Sequence, residues 1–305
     1  MTLMEKAMIA SLPKVSAEEE FYHEIPMRDG SMSALKIHRP SKGANSGPLV
    51  VLCFGGGFIG GSNDQLSRTS RALVKTLGAT VVNISYRLAP EHKYPAAQYD
   101  ARDSMEWIAS NATSGLLSAD PAKGFIMGGV SAGGALTASL SRILQDEPLA
   151  YPLTGQWLSV PSIMDATCIP KGYEEYYISP EQQSDNAFFS RKTREALKAF
   201  TEWDSSSPLR YAVNSKTPLS GQPKTYFQVC GMDPLRDDAL IYDEMLKLEG
   251  VKTKVDIYEG CPHGHFAGFP GLEITDRANI DTVVGVGWLL GKEVAREDAR
   301  KVLSL

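Results

Sequence analysis

A chain of 305 residues with 43% hydrophobic content can bury a large core, and with no Pro/Gly/Ser-rich linker breaking it, it reads as a single α/β domain. The formal net charge of −5 comes without basic blocks, which excludes the electrostatic footprint of a nucleic-acid binder or an anionic-membrane binder and points to a small-molecule partner. Four cysteines, Cys53, Cys168, Cys230 and Cys261, show neither metal-ligand nor redox spacing, so no metal and no redox centre is expected, and a reducing cytoplasmic setting fits them.

Residues 1–10 read as an amphipathic helix, and Glu5 with the acidic run Glu18-Glu19-Glu20 argues against a secretory leader. Glu24–Met27 and Ser33–Arg39 read as an antiparallel hairpin about the turn Arg28–Ser31. Strand and helix signals then alternate: strand Pro48–Phe54, helix Gln65–Leu77, strand Thr80–Ser85, helix Ala97–Ala109, strand Gly124–Gly128, helix Ala135–Leu144 and strand Thr154–Val160. That rhythm predicts a mostly parallel sheet flanked by helices. It stops between about residues 163 and 213, a stretch rich in aromatics and charges with a helical run over Arg191–Glu202, which reads as a cap inserted over the sheet. It resumes with strand Thr225–Val229, helix Ala239–Glu249, strand Val255–Tyr258 and one last helix over about Asp276–Arg300.

The chemistry centres on Gly129-Val130-Ser131-Ala132-Gly133-Gly134, placed between a short apolar strand and a helix. Small flanking residues let a serine sit on a sharp strand-to-helix turn with its hydroxyl exposed. A serine nucleophile needs a base, an acid to orient the base, and donors for the developing oxyanion. In the order nucleophile, acid, base, His23, His38 and His92 come too early, leaving His263 and His265 on the loop after the last strand. The glycine-flanked turn Gly260–Gly264 favours His263, with His265 the alternative. Asp233 is the first acid off the preceding strand, and Asp237 and Asp238 read as caps or first-turn acids of the next helix. The loop Gly55-Gly56-Gly57, with the amide of Ala132, can supply the oxyanion donors. It lacks the Lys-Ser/Thr ending of a phosphate-binding loop, so no nucleotide cofactor is expected.

These residues resemble the hormone-sensitive-lipase-like branch of the α/β-hydrolases. The likeness lies in the glycine loop, in Tyr86-Arg87-Leu88-Ala89-Pro90-Glu91, in the Ser131 motif, in Asp233-Pro234-Leu235-Arg236-Asp237 and in Pro262-His263-Gly264. The resemblance implies an α/β-hydrolase fold, a Ser131–His263–Asp233 triad, oxyanion donors at Gly56, Gly57 and Ala132, and a cap built from about 1–24 and 163–213. Three positions depart from the family pattern: Phe54 stands in place of a histidine, Val130 of an acid and His265 of a phenylalanine. An aromatic at Phe54 is expected to dry or narrow the pocket and so to influence what the acyl group is passed to.

The expected activity is carboxylester hydrolysis of a small to medium ester or lactone. A narrower resemblance is to secondary-metabolite enzymes that act on polyketide esters, lactones or carrier-bound thioesters. The same triad can instead serve acyl transfer or cyclisation. A non-catalytic ligand-binding role, as in the plant gibberellin receptors, ranks below both because those receptors lose the catalytic histidine. Of the aromatics Tyr173, Tyr176, Tyr177, Phe188 and Phe189, most are expected in the cap's own core and some on the pocket wall.

Overall fold

The computed structural model describes residues 10, 12–16, 19–41 and 46–304. The helix expected over residues 1–10 lies, but for Ala10, outside them. The hairpin forms from β1 (Glu20–Pro26) and β2 (Met32–His38), paired antiparallel. Residues 20–24, grouped by sequence with a cap, are therefore part of a strand. The chain continues through β3 (Leu49–Cys53), α1 (Ser67–Leu77), β4 (Thr80–Ile84), α2 (Ala96–Asn111), β5 (Phe125–Val130), α3 (Ala132–Asp146) and β6 (Gly155–Ser159). Two short helices, α4 (Ser179–Gln182) and α5 (Arg191–Thr201), precede β7 (Lys224–Met232), α6 (Arg236–Leu248), β8 (Thr253–Pro262), α7 (His265–Gly268), α8 (Glu273–Leu289) and α9 (Arg296–Leu303).

The eight strands make one sheet in the order β1-β2-β4-β3-β5-β6-β7-β8, antiparallel at the β1–β2 and β2–β4 joins and parallel from β4 to β8. β3 to β6 are buried along their whole length, as strands covered on both faces must be. The period-2 alternation then sorts their side chains between the two faces of the sheet. Leu49, Val51 and Cys53 pack with Ala101, Met105 and Ile108 of α2 and with Leu136 and Leu140 of α3. Val50 and Leu52 pack on the other face with Leu73 of α1, Val283 and Val286 of α8 and Leu303 of α9.

The helix expected to run from Asp276 to Arg300 is two helices. Gly291 takes a left-handed backbone (φ 69°) just past α8, and the Lys292 amide closes onto Gly287 O at 2.9 Å. That glycine stop reverses the chain, so that α9 returns against α1, where the Arg68 guanidinium donates to Leu303 O at 2.6 Å. Residues 163–213 contain the two short helices and single 3-10 turns, with no strand.

Candidate active site

β5 delivers Ser131 to the carboxyl end of the sheet, where open parallel sheets place their ligands. The turn there is tight: Ser131 has φ 55°, its amide donates to Ser159 O at 2.8 Å, and α3 begins at the next residue. The flanking glycines are required by space. A Cβ at Gly129 would lie 2.4 Å from the Gly133 backbone, and one at Gly133 would lie 2.1 Å from Cys53 O. Only bare backbone lets the turn close against β3.

The sharp ends of β7 and β8 bring the other two groups to the serine. His263 Nε2 is 2.9 Å from Ser131 Oγ, and His263 Nδ1 is 2.7 Å from Asp233 Oδ2. Asp233 is 1% exposed, and its second oxygen accepts the Leu235 amide at 2.8 Å, which fixes the carboxylate plane. His265, the sequence alternative, is buried elsewhere: its Nδ1 lies 3.3 Å from Cys230 Sγ and its ring sits beside Tyr258. Burial pulls its affinity for a proton below that of an ordinary imidazole.

The glycine loop faces Ser131 from the end of β3. Gly56 and Gly57 take φ of 132° and 62°, and neither amide donates to a protein acceptor among the described residues. Gly57 and Ala132 line the same cavity as Ser131. The loop is held from behind by Gln65, which no sequence motif marks, and by the Tyr86–Glu91 motif. Gln65 brackets Gly55, accepting its amide at 2.7 Å and donating to its carbonyl at 3.3 Å. The Tyr86 hydroxyl donates to Phe54 O at 2.7 Å and the Ala89 amide to Phe58 O at 2.8 Å, which gives the Tyr86–Glu91 motif a structural task.

Phe54 does not line the pocket. Its ring is 2% exposed and stacks on Tyr86 with centroids 4.0 Å apart, beneath the loop and away from the cavity. The expectation that it narrows the pocket is corrected: the aromatic that the glycine-loop segment puts on the pocket wall is Phe58, four residues on. Val130 is a buried core residue.

The cavity has a volume of about 280 Å³. Its sheet side is Gly57, Phe58, Ser131 and Ala132, and residues between β6 and β7 close it, among them Tyr177, Phe189, Leu197, Trp203, Arg210 and Tyr211. Of the five aromatics singled out by sequence, Tyr177 and Phe189 reach the wall. Phe189 also stacks on the His263 ring at 4.6 Å and 21°. Phe188 and Tyr176 are exposed, and Tyr173 packs against the core beside α6.

Asp237 and Asp238 occupy the first turn of α6, as expected, but their carboxylates serve the inserted segment instead of capping. Asp237 Oδ2 accepts the amides of Ile178 and Ser179 at 2.8 and 2.5 Å. Asp238 Oδ2 accepts those of Ile163 and Met164 at 2.8 and 3.1 Å. Complete burial pushes the Asp238 carboxyl up to about 8, with the neighbouring Asp233 charge adding to the shift and the two amides opposing it.

The four cysteines are unpaired, and burial pushes Cys53 up to about 12 and Cys168 to about 11, far from thiolate chemistry. Among the described residues no three His, Cys, Asp or Glu side chains are grouped to hold a metal. No helix among them is long and apolar enough to cross a membrane.

A parallel sheet with a serine on a strand-to-helix elbow, backed by an acid and a base from later strand ends, defines the α/β-hydrolases. The chain belongs to the α/β-hydrolase-fold family whose model matches residues 50–267. It is 33% identical over 276 residues to an AB hydrolase superfamily protein of Schizosaccharomyces pombe, covering 90% of this chain and 80% of the relative. It is 29% identical to the versiconal hemiacetal acetate esterase of Dothistroma septosporum, over 94% of this chain and 88% of that one. Among solved structures it superposes on vibralactone cyclase with a TM-score of 0.87 at 28% identity, covering 94% of this chain and 84% of the other.

Proposed function

We propose that the protein is a serine carboxylester hydrolase. The observation that carries this reading is the continuous chain from Ser131 Oγ through His263 to the buried Asp233 carboxylate, at the wall of a cavity lined largely by apolar and aromatic side chains. In this reading Ser131 Oγ attacks the ester carbonyl carbon while His263 Nε2 takes its proton. The oxyanion is held by the amides of Gly56, Gly57 and Ala132. Collapse of the tetrahedral species breaks the bond to the alcohol, which leaves with the proton from His263. Water, deprotonated by the same imidazole, then releases the acid and restores Ser131. Asp233 orients the imidazole and stabilises its charged form.

The chain acts as a single domain in which residues 163–213, with the segment before β1, form the cap, and it works in the cytoplasm without a cofactor. Its substrate is a small to medium acyl ester or lactone, consistent with the cavity volume and with esterase-named relatives such as that of Dothistroma septosporum. A panel of 4-nitrophenyl esters of increasing chain length, with Ser131→Ala in parallel and a fluorophosphonate as label, tests this. Turnover and labelling in the wild type and a drop of about 10³-fold or more in the variant are expected. No turnover and no labelling in the wild type would overturn it and favour a ligand-binding role.

One observation favours a second reading, acyl transfer or cyclisation by the same triad: the superposition on vibralactone cyclase. Phe54 gives it no support, since that ring lies outside the cavity. Ester product in the presence of an added alcohol would support transfer, and exclusive free acid would exclude it.

A further inference from the structure

The cavity around Ser131 contains a cation without a counter-ion. Arg210 lines it, is 3% exposed, and forms no ion pair among the described residues. Of the five guanidinium N–H groups, one on Nη2 donates to Ser162 Oγ at 3.0 Å and one on Nη1 to Ser162 O at 3.4 Å, while Nε has no partner. The guanidinium carbon lies over the rings of Tyr211, Trp203 and Phe58, 4.0, 4.2 and 5.5 Å from their centroids. Aromatic faces hold a cation and exclude water from it, yet they leave in-plane N–H groups unsatisfied. A buried permanent cation of this kind is costly unless an anion meets it.

Among the described residues no carboxylate meets it. Asp165 lines the cavity but is committed to the Thr167 amide, Ser205 Oγ, Tyr211 Oη and Lys198 Nζ. Glu195 is on the exposed side of α5. Arg191 pairs outward with Glu181, and Arg194 donates to Pro180 O, with its Nε unpartnered. The wall thus carries four cations, Arg191, Arg194, Lys198 and Arg210, against two carboxylates, in a chain whose net charge is −5.

We propose that Arg210 is the specificity-determining residue of this site and that it binds a carboxylate carried by the ester substrate. This rests on the hydrolase reading and deepens it: the preferred ester is one whose acyl or alcohol part bears a second, ionised carboxyl group. The carboxylate takes the place of a counter-ion, accepting from the free Nη hydrogens beside buried aromatic faces, where charge-assisted hydrogen bonds are strong.

The experiment compares kcat/KM for matched pairs: 4-nitrophenyl hydrogen glutarate against 4-nitrophenyl pentanoate, which places the charge in the acyl group, and 3-acetoxybenzoate against phenyl acetate, which places it in the alcohol. The expected result is a preference for the charged member of one pair by about tenfold, which Arg210→Met abolishes and Arg210→Lys keeps in part. Free glutarate should also inhibit wild-type hydrolysis of the neutral ester competitively while pentanamide does not, a measurement that needs no variant. Equal rates within both pairs, or a preference that survives Arg210→Met, overturns the proposal while neutral-ester turnover leaves the hydrolase reading intact. Absence of turnover on every ester, neutral ones included, instead removes the hydrolase reading.

Discussion

The strand ends that carry Ser131, Asp233 and His263 and the segment that covers them are built on different principles. At the strand ends, position follows from backbone: three parallel strands stop at one edge, the turns are short, and each side chain is fixed by one or two local contacts. Residues 163–213 have no ladder to hold them. They are fastened by remote carboxylates, Asp237 to residues 178–179 and Asp238 to residues 163–164, and by aromatic contacts such as Phe189 on His263. On the proposed reading the contrast is a division of labour, with reactivity assigned to the strand ends and selectivity to the segment that covers them.

The largest effect should come from the sheet side. Asp233→Asn keeps an oxygen for the Leu235 amide and so spares the turn, but offers an amide to His263 Nδ1 where a carboxylate accepted its proton. The imidazole is then held in the wrong tautomer, and kcat should fall by about 10³–10⁴-fold with the thermal midpoint nearly unchanged. A small loss in steady-state kinetics would show that position on the sheet alone does not set reactivity.

A smaller effect, on stability, should mark the fastening of the covering segment. Burial holds the Asp238 carboxyl near 8 in the fold, whereas in the unfolded chain it ionises near the ordinary carboxylate value of about 4. Between those pH values the folded state keeps a proton that the unfolded state has released. Stability from this group is therefore full at low pH and lost as pH rises from about 4 to about 8, by at most about 1.4 kcal/mol per unit. Asp238→Asn keeps an acceptor for the Ile163 and Met164 amides and removes the titration. Urea unfolding at pH 5 and pH 8 should show a wild-type decline that is flatter in the variant. Equal slopes would mean that the buried carboxylate is ionised in the fold, held by the Ile163 and Met164 amides.

What could be read from the sequence divides along the same line. The alternating strands, the elbow at Ser131 and the order of Asp233 and His263 are legible because each is fixed by neighbours a few residues away. His263 and His265 part only where β8 ends, one ring against Ser131 and the other beside Cys230, since two residues on a turn can face opposite ways. The sequence misleads at Phe54 because the direction of a side chain at the last residue before a glycine turn depends on Tyr86, 32 residues on. The second roles of Asp237 and Asp238 were hidden by a sufficient local explanation, helix capping, while their partners lie 58–75 residues away. Arg210 carries no motif at all, and what singles it out, burial without an ion pair among the described residues, only three dimensions reveal.

The smallest effect tests where the two regions touch. Phe189 lies on the His263 ring without a hydrogen bond to the Ser131–His263–Asp233 chain, so its removal costs an aromatic contact and some exclusion of water. A stacked pair of this kind contributes about 1 kcal/mol, or roughly fivefold. Phe189→Ala should lower kcat/KM by about that factor, and Phe189→Leu should recover most of it if bulk over the imidazole is what matters. A loss in the alanine variant approaching that of Asp233→Asn would mean that the covering segment holds His263 in place, and reactivity could no longer be assigned to the sheet alone. A loss confined to KM would place Phe189 with Arg210 among the residues that choose the substrate. The division would then run through the stacked rings themselves, with chemistry below the plane of His263 and selection above it.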